Sequence, residues 1–183
     1  MGAEASVLTN DEISQLQAES ELSAEEIEKL WNSFSVLDKD ASGGLTGDEF
    51  LQIPNFSMNP LRQRLLSLLD KNHDESVDFE EFVRVFSIFS PRADPEDKLR
   101  FCFSVYDVDN DGYISNGELF QVLKMMVGNN LGDIELQQMV DKTIELADTQ
   151  NVGKVCYEDF CNLLQRVPNK VTTVVTEKME VRL

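Results

Sequence analysis

Between Asp107 and Glu118 the chain reads DVDNDGYISNGE, and the oxygen-bearing side chains in it fall at regular intervals. Asp107, Asp109 and Asp111 stand at loop positions 1, 3 and 5, Tyr113 offers its main-chain carbonyl at 7, Ser115 stands at 9 and Glu118 at 12. A hard divalent cation takes six to eight oxygens, and this spacing wraps one turn of backbone around such an ion. Gly112 at position 6 supplies the sharp bend, because glycine reaches positive φ at little cost. Ser115 and Glu118 also form an S-x-x-E capping box, which sets the last ligand in the first turn of the exiting helix. The chemistry this implies is reversible calcium binding.

Three further Asp-led loops begin at Asp38, Asp70 and Asp148, so the pattern is an internal repeat of EF-hand type. The first offers Asp38, Asp40, Ser42, the Gly44 carbonyl and Glu49, with Thr46 at position 9. With one carboxylate fewer than the third loop, it should bind more weakly. The second offers Asp70, Asn72, Asp74, Ser76 and Glu81, but places Glu75 where a glycine is expected. A non-glycine residue at positive φ costs about 1 kcal/mol. The fourth keeps Asp148 and the Gly153 bend, yet has Gln150 at 3, Val152 at 5, Lys154 at 7 and Asp159 at 12. Valine has no side-chain oxygen and Asp159 is one methylene short, so this loop is expected to be empty, or magnesium-like, at rest. Calcium is therefore expected at three sites, with the fourth in doubt. His73, the only histidine, falls at a non-ligand position and reads as a solvated loop residue.

Each loop needs a helix on either side. Ser23 to Glu26 is a capping box ahead of Ile27, Leu30, Trp31, Phe34 and Leu37, apolar at helical spacing. Phe50 and Leu51 begin a short helix that Pro54 stops, and Asn59-Pro60 reads as the start of the next. Phe79, Phe82, Val83, Phe86 and Phe89 carry the second exiting helix to Ser90-Pro91, and Asp94-Pro95 starts the third entering helix. Leu119 to Val127 is apolar nearly all round and ends at Gly128; Asp133 to Ala147 forms the fourth entering helix, and Phe160, Leu163 and Leu164 follow the last loop. Leu45 with Val77, and Ile114 with Val155, stand at position 8, where paired loops meet in a short two-stranded contact. The fold class expected is all-α: two EF-hand lobes, four helix-loop-helix units paired two by two. The layout expected is an N-terminal segment at 1–22 with weak helical signals, a first lobe at 23–90, a linker at 91–95, a second lobe at 96–168 and a β-branched tail at 169–183.

The 183 residues are 42% hydrophobic, enough for two small cores. Sixteen basic residues against 34 acidic ones give a net charge of −18, which argues against nucleic acid and for cations or basic peptides. Cys102, Cys156 and Cys161 contain no C-x-x-C and read as reduced core thiols of a cytosolic protein. Met1 to Ser6, MGAEAS, fits N-myristoylation on Gly2. One acyl chain without a basic patch gives only marginal membrane binding, so an acyl chain packed on protein, or a reversible anchor, is expected rather than permanent membrane residence. No nucleophile and base pair, phosphate cradle or zinc ligand set is apparent, and an enzyme reading has nothing to rest on.

Ile114 to Leu131, ISNGELFQVLKMMVGNNL, followed by Leu136 to Ile144, LQQMVDKTI, resembles the calcineurin regulatory B subunits. MGAEAS, NPLRQR and DKLRFCFSVYDVDNDGYISNGE are similar to the same family, so the resemblance covers nearly the whole chain. It implies two EF-hand lobes that bind four calcium ions, myristoylation, and a clamp on a long amphipathic helix of calcineurin A, the catalytic partner in a calcium/calmodulin-dependent serine/threonine phosphatase. It also implies that Leu123, Met126, Val127, Asn130 and Leu131 help receive substrate docking motifs and immunophilin-drug complexes. Departures are the fourth loop, Glu75, the acidic stretch from Asp11 to Glu28 and the tail.

Two function classes compete: a regulatory subunit that holds one constant partner, and a free calcium sensor or buffer with many targets. Promiscuous sensors carry methionine-rich grooves. Of six methionines here only Met1 and Met58 lie in the N-terminal half, which favours the constant partner.

Overall fold

The computed structural model describes residues 8–53, 57–90 and 92–166. Gly2, Pro54, Pro91, Pro168 and the tail from Asn169 lie outside the described residues. The chain divides into two compact units between Asp94 and Pro95.

In the first unit helix α1 (Asn10–Glu19) precedes α2 (Ala24–Leu37), strand β1 (Gly44–Thr46), short helix α3 (Gly47–Phe50), α4 (Arg62–Leu69), β2 (Ser76–Asp78) and α5 (Phe79–Phe89). The core is aromatic. Phe34, Phe50 and Phe82 are fully buried with Ile27, Leu45 and Val77, and Phe34 meets the Phe79 and Phe82 rings edge-on at 5.4 and 5.5 Å. Burying such a side chain stabilises a fold by about 1.5–3 kcal/mol. Because α2 and α5 supply these rings at helical spacing, their packing fixes the direction from which each helix enters or leaves its loop.

Three local expectations change. The stretch with weak helical signals holds α1, whose N-terminus is closed by a capping box of Thr9 and Glu12 and whose Leu16 is buried. Few apolar residues mark it, because a single side chain anchors it. Asn59 and Pro60 do not open a helix: the Asn59 carboxamide oxygen accepts from the Leu61 amide at 2.9 Å, and α4 starts at Arg62. The helix after the first loop begins at Gly47, before Phe50, because Thr46 donates its amide and hydroxyl to Glu49 at 3.0 and 2.8 Å.

The second unit runs α6 (Pro95–Tyr106), β3 (Tyr113–Ser115), α7 (Asn116–Val127), α8 (Asp133–Ala147), β4 (Lys154–Cys156) and α9 (Tyr157–Arg166). Phe103, Ile114, Leu119, Val140, Ile144, Val155 and Phe160 share its core, with Cys102, Phe120, Leu123 and Cys161 packed against them. All three cysteines are unpaired thiols, and burial pushes the pKa of the Cys102 thiol up to about 11. Gly128, at φ 57°, closes α7 in a conformation that glycine adopts freely.

The strands pair antiparallel within each unit, Leu45 opposite Val77 and Ile114 opposite Val155. Two helix-loop-helix units thus share one ladder, and that ladder sets the distance between their loops.

Candidate metal centre

Each loop is held by its own acidic residues. At position 1, Asp107 accepts the amides of Asp111 and Gly112 at 3.1 and 3.0 Å. Asp38 takes Ser42 and Gly43 in the same way, Asp70 takes Asp74 and Glu75, and Asp148 takes Val152 and Gly153. At position 12, one oxygen of Glu49, Glu81 or Glu118 accepts the amide at position 2, from Lys39, Lys71 or Val108, at 2.8–2.9 Å. The other accepts the amide at position 9. Amide donors thus orient the carboxylates before any ion is considered.

In the first loop Asp38, Asp40 and Glu49 offer oxygens that lie within 4.8 Å of one another, and in the third Asp107, Asp109 and Glu118 do the same. Hard oxygens at that separation suit calcium, with main-chain carbonyls and water completing the shell. Ser42 and Gly44 lie beside the first group, the Ser42 hydroxyl donating to the Gly44 carbonyl at 2.9 Å. Burial raises Asp107 above the ordinary carboxylate range against the pull of the Gly112 and Asp111 amides, with the Glu118 and Asp111 charges adding to the rise. Burial also acts to raise Glu118, but hydrogen bonds from Ser115, Asp109 and Val108 outweigh it and hold the carboxyl low. Crowded like charges of this kind are what a divalent cation relieves.

The second loop has the same backbone frame but forms no such group among the described residues. Its Asp74 is engaged by the Ser76 hydroxyl at 2.8 Å and the Asn72 amide at 2.9 Å, and the Ser76 hydroxyl holds its carboxyl low. The Asn72 side chain, at a ligand position, is therefore turned on Asp74, while Ser76 at position 7 offers its main-chain carbonyl rather than this hydroxyl.

The fourth loop is closed upon itself. Asp159, 2% exposed, accepts the Thr149 hydroxyl at 2.5 Å on one oxygen and the Cys156 thiol at 3.3 Å on the other. Gln150 donates to the Cys156 sulfur at 3.5 Å, and Val152 stands exposed. The Lys154 side chain leaves the loop altogether and reaches Asp111 of the third loop, Nζ to Oδ2 at 2.6 Å. That ion pair brings Asp111 below the ordinary range.

Several of these features escaped sequence reasoning. Position 4 is left-handed in every loop, at Ala41, His73, Asn110 and Asn151 (φ 55–59°). The two asparagines, which tolerate that region, were the available signal. Thr149, Cys156 and the Lys154 to Asp111 pair carry no ligand-spacing signature. Of the candidate docking residues, Leu123 packs against the core, Met126 is 46% exposed and Asn130 is exposed, with Val127 and Leu131 half-buried.

Paired helix-loop-helix units with convergent carboxylates define a calcium-binding protein of the EF-hand class, and the EF-hand domain pair matches residues 27–87 and 96–165. The similarity to individual proteins is more particular. The calcineurin B subunit of Naegleria gruberi is 49% identical over 174 residues, 94% of this chain and 98% of the relative. The type 1 calcineurin B subunit of Dictyostelium discoideum is 48% identical over 90% of this chain and 91% of its own, and the type 2 calcineurin B subunit of Homo sapiens 54% identical over 74% and 80%. The chain belongs to the family of calcineurin B subunits.

Proposed function

We propose that this chain is the calcium-binding regulatory subunit of a calcineurin-type serine/threonine phosphatase, clamping the amphipathic helix of the catalytic partner, calcineurin A, and leaving the phosphatase chemistry to that partner. The observation that carries this reading is likeness to calcineurin B relatives across both hand pairs and nearly the full chain, where a free sensor or buffer would share only the hands. Three loops take calcium: Asp38, Asp40, Ser42, Gly44 and Glu49 in the first, Asp70, Asn72, Asp74, Ser76 and Glu81 in the second, and Asp107, Asp109, Asp111, Tyr113 and Glu118 in the third. The third is tightest and the fourth serves as a structural partner. Gly2 is acylated, and the protein works in the cytoplasm with reversible membrane association. No described helix is long and apolar enough to cross a membrane. Leu123, Met126, Val127, Asn130 and Leu131 form the docking corner for substrate motifs and immunophilin-drug complexes.

Size exclusion of the protein from its own cells, followed by mass spectrometry of the fraction, tests the central reading. A stable heterodimer with a phosphatase chain supports it; a monomer, or a shifting set of targets, returns the free sensor.

A further inference from the structure

We infer that Lys154 is a positioning residue for the neighbouring loop, a tethered cation that competes with calcium for Asp111 of the third ligand set and so weakens binding there. The inference rests on reading the third loop as a calcium site. Its own loop has no use for this side chain, since position 7 contributes through its carbonyl. The strand register sets Lys154 opposite Ser115, at the mouth of the third loop. From there its ammonium meets Asp111 Oδ2 at 2.6 Å and lies 5.8 Å from the centre of the Tyr113 ring.

The other Asp111 oxygen accepts the Tyr113 amide at 2.8 Å. Both oxygens are thus engaged, and the convergent group consists of Asp107, Asp109 and Glu118 without Asp111. For Asp111 to serve an ion with Oδ2, the ammonium must leave. If it stays, it stands beside the ion as a like charge. The first lobe provides an internal comparison. Its equivalent cross-strand pair is Thr46 with Ser76, so no cation is placed over the first loop from there.

Calcium titration of the full chain by calorimetry, with the Gly112 and Gly43 amide resonances assigning the third and first sites, tests this. Lys154→Met should lower the third-site Kd about two- to fivefold, the scale of one partly exposed ion pair. The first site should not move, and Lys154→Arg should retain the original affinity. Lys154→Gln provides the same reading should the Met variant melt early. An unchanged or raised third-site Kd in both neutral variants, or an equal change at both sites, overturns the inference. Glu118→Gln separates the underlying reading: the Gly112 amide should respond to calcium in the unaltered chain and lose that response in Glu118→Gln, and if it is silent in the unaltered chain, or responds equally in both, the Asp107 to Glu118 ligand set does not hold the ion and both fall.

Discussion

Glu75 stands at φ 67°, in the left-handed region that the other three loops give to Gly43, Gly112 and Gly153. Its amide is fixed to Asp70 at 3.0 Å, so the side chain has no route out of that conformation. His73, two residues earlier, is left-handed as well, and the second loop alone has non-glycine residues at both such positions. Because the strain is present in the folded loop itself, its relief belongs to stability before affinity. Glu75→Gly should raise the stability of the first lobe by about 0.5 kcal/mol, the left-handed penalty of about 1 kcal/mol less the roughly 0.5 kcal/mol of entropy glycine loses on folding. Melting curves with and without calcium check this, and an unchanged or lower midpoint would show that Glu75 is not strained. Glu75 was legible in the sequence because position 6 has a known glycine requirement. His73 and Ala41 were not, since ligand spacing says nothing about the handedness of position 4.

The four loops are one element used in two ways. In three of them Glu at position 12 reaches back to the amide at position 2, and the ligand spacing alone revealed those residues. In the fourth, Gln150, Val152 and Asp159 disclosed only the loss of ion ligands. What replaced them depends on packing: a carboxylate one methylene shorter sits where Thr149 and Cys156 can saturate it, and no linear pattern encodes that meeting. These hydrogen bonds close the fourth loop, beside the pairing of β4 with β3 and the burial of Phe160 in α9. Thr149→Val leaves a buried carboxylate oxygen without its donor, which costs about 1–3 kcal/mol. The second lobe should lose that much in urea unfolding, while the number of calcium ions bound stays the same. A loop that instead gained an ion, or a lobe that lost no stability, would mean the Thr149 to Asp159 bond is not what closes it. Helix α1 was hidden for a similar reason, since Leu16 anchors it and one buried leucine makes no periodic stripe.

At the scale of the whole molecule, the proposed docking corner rests on α7. Its sequence, apolar on nearly every face, called for two buried sides, and one lobe's core can take only one. Leu119 and Val122 fill that core, Phe120 and Leu123 lie against its edge, and Met125 and Met126 remain 38% and 46% exposed. The corner after Gly128 adds Asn130, also exposed. Substitutions confined to exposed side chains shift stability by about 0.5 kcal/mol at most, so the corner can be altered without disturbing the loops. Met126→Asp combined with Asn130→Ala should leave folding and calcium titration of the isolated protein unchanged. In the assembled phosphatase the same pair should abolish capture of a fluorescent substrate-docking peptide, because a carboxylate placed in an apolar contact has no partner to offset its desolvation. Peptide anisotropy on the heterodimer reads this directly. Retained peptide binding would place the docking site elsewhere on the complex, and unfolding of the isolated protein would show that Met126 belongs to the core after all.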